Sequence, residues 1–335
     1  MRIRVASAPV SWGIMENVPV PAEYPFSRVL DEIAQAGYTG TELGPYGFLP
    51  VDSAQLRREL EQRGLTLCSA FVAIRLGDSA SRESGLTQVE QAARLIGEAG
   101  ARLLILSDEV MPQRSAVAGR REEANRLSWS GAQWKTAEET IREVIGRCRR
   151  LGLKVAFHHH AGSHVETPEE VDRLLSVVEP GDLGLCLDTG HYGYGGGDPL
   201  ELLRRTVDRV WCFHLKDIDE ARLSESRQQR LDFHSAVRNG VFACLSPACL
   251  GRWKTTGLTA GRLLSRTCWR AGVGLRHPWR TPLPRVSFSG NWGTNQNELS
   301  KVTLAPQGGA YITLFVMYAV SGCKRTKSHR LLRSI

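Results

Sequence analysis

The sequence predicts an α/β chain that folds over residues 1–242 as a (β/α)8 barrel of the TIM type. Two observations lead to this prediction. Short β-branched or apolar runs alternate with amphipathic helical stretches seven times within about 215 residues, which is the spacing of barrel units. Several of the predicted strands are also followed directly by polar residues, and barrels carry their active sites at the carboxyl ends of strands.

Each predicted strand is a short run rich in β-branched and apolar residues. Strands of this kind, buried on both faces, are typical of parallel sheets. The predicted strands are Arg4–Ala8, Gly40–Leu43, Leu65–Val72, Leu103–Ser107, Lys154–His158, Leu183–Leu187 and Val210–His214.

Helices are predicted between the strands from apolar spacing and from their end signals. Gly37, Gly64 and Gly152 mark helix ends, because glycine readily adopts the left-handed conformation found there. The run Thr167–Glu170 supplies an N-cap, a proline in the first turn and acids for the helix dipole. The predicted helices are Phe26–Ala36, Ser53 to Gly64, Gln88–Ala99, Thr136–Arg150 and two more that begin at Thr167 and Asp198.

A doubly wound sheet is the alternative architecture. Such a sheet usually carries a glycine-rich phosphate-binding turn after its first strand. Here that turn reads Pro9–Gly13 with a single glycine, so we favour the barrel.

Carboxylates, imidazoles and a lysine stand at or just after the ends of five predicted strands. Any one of them alone is more often a helix cap or a satisfied polar contact than a ligand, but several strand ends together favour a site. Carboxylate and imidazole groups bind divalent ions such as Mn²⁺, Co²⁺, Zn²⁺ or Mg²⁺. The candidates are Glu42, Asp108, Glu109, His158, His159, His160, Glu166, Asp188, His191, His214, Lys216 and Asp217.

Strand alternation refines this set. His158 and His160 share one face of their strand and His159 takes the other. Lys216 is suited to stabilise a developing enolate.

Two further assignments have alternatives. Cys186 and Cys212 are either thiolate ligands or, as we prefer, a layer of small buried side chains. Trp12 either forms the base of a sugar or polyol pocket or belongs to the core.

The charge of the chain is divided unevenly. The whole chain has a net charge of +8, but residues 241–335 contain 14 Lys and Arg against one acid, Glu298. Residues 1–240 therefore have a net charge of −5. An argument from overall basicity to nucleic acid would concern only the last 95 residues.

Residues 243–335 do not continue the barrel pattern. They lose periodicity and contain four of the eight Trp and four of the eight Cys. This composition is typical of an out-of-frame translation of a GC-rich gene, which we favour over a basic nucleic-acid-binding appendage. We expect this tail to be poorly ordered, the eighth β–α unit to be missing or scrambled, and segment 311–320 to be an exposed, aggregation-prone strand.

Other classes are disfavoured by simple features. No apolar run approaches the roughly 20 residues of a membrane span. The eight cysteines form no CxxC pair. We expect them to be small buried side chains in a reducing compartment and not a framework of disulfides. The N-terminus has no signal-peptide core, so we expect a cytoplasmic location.

At the polar strand ends the sequence resembles a known family. The runs Val155–Gly162, Leu187–His191 and Phe213–Asp217, with Gly40–Gly44, are similar to inosose (2-keto-myo-inositol) dehydratases. These enzymes belong to the xylose isomerase-like barrels, beside sugar epimerases and isomerases. The resemblance covers about residues 3–242.

The resemblance implies a divalent metal held by residues of strands five to eight. Mn²⁺ or Co²⁺ is preferred, with Mg²⁺ or Zn²⁺ as alternatives. Asp188 and His214 carry over directly, and the fifth-strand ligand is either His158 or Glu166. The eighth-strand glutamate of the family has no evident counterpart, since Glu298 is not at a strand end.

The implied reaction is a metal-assisted elimination of water from a cyclic keto-polyol through an enolate. We expect His160, His191 and Lys216 to be catalytic, with acid and base unassigned. Trp12, Glu42 and Asp217 are expected to contact the small-molecule polyol or sugar.

Other functions stay open at this stage. An epimerase would use the same enolate, and a barrel without its last quarter would be an inactive polyol binder. A DNA endonuclease is disfavoured by the −5 net charge of residues 1–240. We expect no specific nucleic acid and no membrane partner, and a homo-oligomer is allowed.

Overall fold

Eight parallel strands close into a barrel in the computed structural model, which describes residues 3–16, 19–20 and 22–243 and the backbone of 312–316. Seven strands follow one another in chain order around the barrel, and the eighth lies between the seventh and the first. The predicted barrel is therefore confirmed. The seven consecutive strands are β1 (Ile3–Ser7), β2 (Gly40–Glu42), β3 (Thr66–Ile74), β4 (Leu103–Asp108), β5 (Lys154–His158), β6 (Leu183–Asp188) and β7 (Val210–Leu215).

Three further strands follow. Strands β8 (Asp217–Ile218) and β9 (Phe242–Ala243) form a small antiparallel sheet outside the barrel. Strand β10 (Ile312–Val316) pairs in parallel with β1 and with β7. Segment 311–320, expected to be an exposed strand, thus contains a five-residue strand that is paired on both sides within the barrel. Seven strands leave two open edges, and a β-branched and aromatic run satisfies the backbone groups of both.

The remaining expectations for the tail cannot be followed here. Residues 244–311 and 317–335, which include Glu298, lie outside the described residues. The proposed boundary near residue 242 and the proposed out-of-frame origin of the tail therefore stay predictions.

Helices pack around the barrel between successive strands. Two of them begin with a capping box, in which Ser130 and Thr167 pair with Gln133 and Glu170. The cap predicted at Thr167 is confirmed. The helices are α1 (Phe26–Gln35), α2 (Ser53–Glu61), α3 (Arg82–Glu98), α4 (Pro112–Ser115), α5 (Arg121–Arg126), α6 (Gly131–Arg150), α7 (Pro168–Val177), α8 (Thr189–Tyr194), α9 (Pro199–Thr206), α10 (Glu220–Gln228) and α11 (Phe233–Arg238).

Two helices begin earlier than the sequence predicted. Helix α3 begins at Arg82 and not near Gln88, and α6 begins at Gly131 and not near Thr136. The capping box at Ser130 fixes the start of α6, because it satisfies amide groups that would otherwise lack partners. Within the described ranges, no helix is both long and apolar enough to span a bilayer.

The core has two layers that follow from strand alternation. Large aliphatic side chains such as Leu104, Leu185 and Leu187 pack between the barrel and its helices. Small side chains fill the barrel interior, among them Ala156, Cys186 and Cys212. The two cysteines lie in this small buried layer, as we prefer, but with His214 they also form a second group of possible ligands, so thiolate ligation stays an open alternative. Side chains two residues further along the same strands stand above this layer.

A buried ion pair joins the loops above β4 and β5. The Arg114 guanidinium is 0% exposed and lies 2.8 Å from the Glu170 carboxylate. It also donates hydrogen bonds to the carbonyl oxygens of Ser163 and Ala124. Glu170 in turn accepts from the amides of Glu166 and Thr167. Arg114 thus fixes the loop that follows β5.

This pair should dominate the stability of the loops. We expect Arg114→Met to lower the free energy of unfolding by about 3–5 kcal/mol, because it leaves the Glu170 carboxylate buried without its counterion. The matched control is Arg142→Ala, which breaks an exposed pair with Glu138 and should cost about 0.5 kcal/mol or less. Urea unfolding at pH 7 measures both, and equal effects would contradict the assignment.

Candidate active site

Three buried ligand-type side chains meet at the carboxyl ends of β5, β6 and β7. They belong to His158, Asp188 and His214, and their ligand atoms all lie within 4.8 Å of one another. His158 Nε2 is 3.2 Å from Asp188 Oδ2, and His214 Nδ1 is 3.7 Å from the same oxygen. Each residue stands two positions beyond a member of the small interior layer, so strand alternation alone points it into the barrel.

This donor set fits a divalent cation. Two imidazoles and one carboxylate are ligands of Mn²⁺, Co²⁺ and Zn²⁺. Burial lowers the pKa of His158 to about 4, so its ring is neutral at physiological pH and keeps a lone pair for a ligand. Its Nδ1 is buried and has no hydrogen-bond partner within the described part of the chain.

The Asp188 carboxylate is held ionised. Burial by itself would raise its pKa, but Lys216 and His191 lower the pKa well below its usual value. The Lys216 ammonium lies directly against Asp188 Oδ2. The other oxygen, Oδ1, accepts a hydrogen bond of 2.8 Å from the amide of His191 and so caps α8. One carboxylate therefore organises both the ligand cluster and the loop that follows β6.

Glu42 reaches the cluster from the opposite side of the barrel. His214 Nε2 is 3.2 Å from Glu42 Oε1, and the Ser69 hydroxyl donates to the same oxygen. Burial opposes protonation of His214, but Glu42 and Cys212 outweigh it and raise the pKa of His214 to about 9. Glu42, predicted as a substrate contact, is here the partner of a candidate ligand.

The two predicted catalytic histidines lie side by side next to the cluster, with their ring planes tilted by 35°. The ring centroids of His160 and His191 are 3.9 Å apart, and the rings of His158 and His191 are 5.3 Å apart. Phe233 covers both members of the pair, at 5.3 Å from His160 and 5.6 Å from His191. His160 is half-buried and His191 is buried. The structure therefore brings His160, His191 and Lys216 together at the ligand cluster.

The alternative fifth-strand ligand, Glu166, is engaged elsewhere. Its two carboxylate oxygens accept hydrogen bonds of 2.7 Å from the amides of Gly119 and Gly162. Burial raises its pKa to about 7, against the opposing effect of these two hydrogen bonds. The structure thus brings His158, and not Glu166, to Asp188 and His214.

The remaining predicted substrate contacts lie at the edges of this site. The Trp12 indole N–H donates to Glu32 Oε2 in α1 at 2.6 Å, and the ring packs against the main core. This is the core role that the sequence left open. Asp217 begins β8, and its carboxylate accepts from the Ile218 amide. Substrate contact by either residue stays a prediction.

Sequence reasoning missed several groups that shape the site. Phe233 and Phe242 come from the region after β7 and contact His191. Asp108 accepts from the amide and the ring of His164, which stacks on Trp129. Sequence periodicity gave no sign of these contacts, although Asp108 was noted as a strand-end acid. The only available signal was an aromatic residue on a short helix close to the seventh strand.

Comparisons with known proteins agree with this architecture. Residues 30–243 match the model of the xylose isomerase-like TIM barrel family. The chain belongs to this family. Inosose dehydratase from Geobacillus kaustophilus is 33% identical over 248 residues, which cover 74% of this chain and 80% of the relative.

Two further comparisons are similar in extent. The rhizopine catabolism protein MocC from Rhizobium meliloti is 34% identical over 242 residues, covering 72% of this chain and 73% of the relative. A crystal structure of an AP endonuclease, family 2, from Brucella melitensis has a TM-score of 0.50 at 18% identity, with 68% of this chain and 89% of that chain covered. At this identity the second likeness concerns the barrel fold alone.

The geometry predicts which residues hold a cation. We expect His158→Ala, Asp188→Asn and His214→Ala each to remove most of the bound Mn²⁺, because each takes away one donor of a three-donor set. Glu166→Gln should retain it, since Glu166 is held by backbone amides. Equilibrium dialysis followed by elemental analysis gives ions per chain. Loss in Glu166→Gln with retention in His158→Ala would reverse the ligand assignment.

Proposed function

We propose that the protein is a metal-dependent dehydratase of a cyclic keto-polyol, with inosose as the substrate. The observation that carries the proposal is the joint placement of the His158–Asp188–His214 cluster, the His160–His191 pair and Lys216 at one mouth of the barrel. Elimination of water next to a ketone needs a polarised carbonyl, a base for the α-proton and a donor for the leaving hydroxyl. This site contains groups suited to each task.

The family relatives support the same reaction class. Two relatives are at least 33% identical to this chain, and one of them is named an inosose dehydratase. An enzyme of the carbon–oxygen lyase class with a small polyol or sugar substrate follows from this likeness. The net charge of −5 on residues 1–240 favours such a substrate over DNA, since phosphate contacts need surplus Lys and Arg.

The cation ligands would be His158, Asp188 and His214. A divalent ion bound by these three side chains would supply Lewis-acid polarisation of a ketone oxygen, which would acidify the adjacent C–H bond. The imidazole and carboxylate donors accept Mn²⁺, Co²⁺ or Zn²⁺ alike. We propose Mn²⁺ or Co²⁺ as the resident ion, in line with the family resemblance.

Lys216 supplies positive charge beside this point. Its ammonium contacts Asp188, and its backbone is tied to the Thr189 hydroxyl by two hydrogen bonds. Gly190 permits this approach, because a Cβ there would lie 2.6 Å from the Cβ of Lys216. A charge fixed in this way stabilises an enolate oxygen without reorganisation during the reaction.

Two phenylalanine rings shield one side of the site from water. Phe233 and Phe242 pack on His191, and Lys216 lies 5.9 Å from the ring centroid of Phe242. Exclusion of water strengthens every electrostatic interaction in the site. It also protects an enolate intermediate from protonation by solvent.

The proposal has a direct chemical test. We expect the full chain, supplied with Mn²⁺, to convert inosose to a conjugated dione that is followed by its ultraviolet absorbance. Removal of the metal with a chelator should abolish the signal, and added Mn²⁺ should restore it. Incorporation of solvent deuterium without loss of water would instead identify an epimerase.

Lys216 should contribute to the rate. We expect Lys216→Ala to lower kcat by roughly 10²-fold or more, the effect of removing one stabilising group from a developing anion. The matched control is Lys154→Ala, which removes a lysine that lies over Trp211 at the start of β5 and should leave kcat unchanged. Metal content is measured in both variants, so that loss of the ion is not mistaken for loss of the charge.

A further inference from the structure

The backbone of one residue, Ala161, contacts both histidines of the His160–His191 pair. Its carbonyl oxygen lies 2.8 Å from His160 Nδ1. Its N–H donates a hydrogen bond of 3.2 Å to His191 Nδ1. Ala161 is fully buried, so water does not compete for either backbone group.

These two contacts fix the tautomer of each ring. A carbonyl oxygen only accepts, so His160 Nδ1 carries a proton and the lone pair of the neutral ring is on Nε2. A backbone N–H only donates, so His191 Nδ1 carries the lone pair and the proton is on Nε2. A doubly protonated His191 would set two donors against each other at 3.2 Å.

We propose that the backbone of Ala161 holds the two neutral rings in opposite tautomers. As a result His160 presents a proton acceptor at Nε2, and His191 presents a proton donor at Nε2. The tautomers depend only on the hydrogen bonds above. The catalytic roles that follow from them rest on the proposed dehydratase function.

The surroundings hold this arrangement in place. Glu166 accepts from the Gly162 amide, and Arg114 donates to the Ser163 carbonyl, so the chain after Ala161 is tied at two successive residues. The Asp188 carboxylate caps α8 through the His191 amide. Phe233 packs on both rings. The pair is thus positioned from the β5 loop, from α8 and from α11.

In the proposed elimination, His160 is the only group that exchanges a proton with the substrate. Its Nε2 takes the proton from the carbon next to the ketone, and the electron pair of the broken C–H bond forms the C=C bond of the enolate. The ketone C=O then re-forms, the electron pair of the enolate C=C bond becomes a new C=C bond between the α-carbon and the neighbouring carbon, and the C–O bond on that neighbouring carbon breaks. The released hydroxyl takes the same proton from His160 Nε2 and leaves as water. His160 returns to its starting tautomer. His191 Nε2–H donates a hydrogen bond to a substrate oxygen throughout, as a neutral imidazole does when it stabilises developing negative charge.

The tautomers can be read without any substrate. Long-range ¹H–¹⁵N spectra of the full chain, labelled with ¹⁵N-histidine and loaded with diamagnetic Zn²⁺, separate the Nδ1–H and Nε2–H forms. The signals are assigned by their loss in His160→Gln and in His191→Gln. We expect His160 in the Nδ1–H form and His191 in the Nε2–H form. The same tautomer in both rings, the reverse pair, or a doubly protonated ring at pH 7 would overturn the inference.

The roles are tested by variants that keep or remove the relevant atom. His191→Gln retains an N–H donor and should stay within about 10-fold of the parent kcat, whereas His191→Leu should lose about 10²–10³-fold. His160→Gln should abolish exchange of the substrate α-proton with solvent deuterium, because an amide is not a base. His234→Gln, at an exposed position, is the control and should change neither.

Two results would contradict these roles: a His191→Gln enzyme as slow as His191→Leu, or exchange that persists in His160→Gln. If the parent enzyme does not act on inosose at all, the proposed function fails. The tautomer measurement then still decides the inference about Ala161.

Discussion

The site depends on the carboxylate of Asp188. It stands at the end of β6, in register with His214 of the neighbouring strand, and it contacts the His158 ring and the Lys216 ammonium. It also caps α8 through the His191 amide. A buried carboxylate is costly unless charges and donors surround it, so the folding of this barrel end requires the same groups that the chemistry uses.

The histidine pair depends on a loop and not on the sheet. His160 lies beyond β5, where no strand pairing fixes its position. The buried pair of Arg114 and Glu170, together with the Glu166 carboxylate, supplies the missing constraint through backbone groups of the loop. Ionisable side chains such as these three are rarely fully buried, least of all beneath a loop. Their arrangement is understandable if the loop must hold an imidazole in one orientation.

Much of this architecture is readable from the sequence, because strand alternation is a local property. His158, Asp188 and His214 each end an apolar strand, and parity alone points them inward. Contacts between distant segments are not local and could not be found in this way. Glu42 meets His214 across the barrel, and Phe233 reaches the site from a short helix. The pairing of β10 within the barrel was missed for the same reason, since its partners are the distant first and seventh strands.

The cation ligands and the histidine pair should respond differently to sequence changes in the loops, because strands hold the ligands and loops hold the pair. The cation ligands stand on neighbouring parallel strands. Strand β5 pairs with β6 up to His158, and β6 pairs with β7 up to Asp188 and His214. Small changes in the surrounding loops therefore leave that cluster in place. The His160–His191 pair is held by a few hydrogen bonds to backbone groups and by the rings of Phe233 and Phe242. A displacement of about 1 Å is enough to cost much of a catalytic rate. Divergence among enzymes that share this barrel is thus expected to concentrate in the loop after β5 and in the segment that contributes Phe233, while the strand-end ligands stay fixed by the geometry of the sheet.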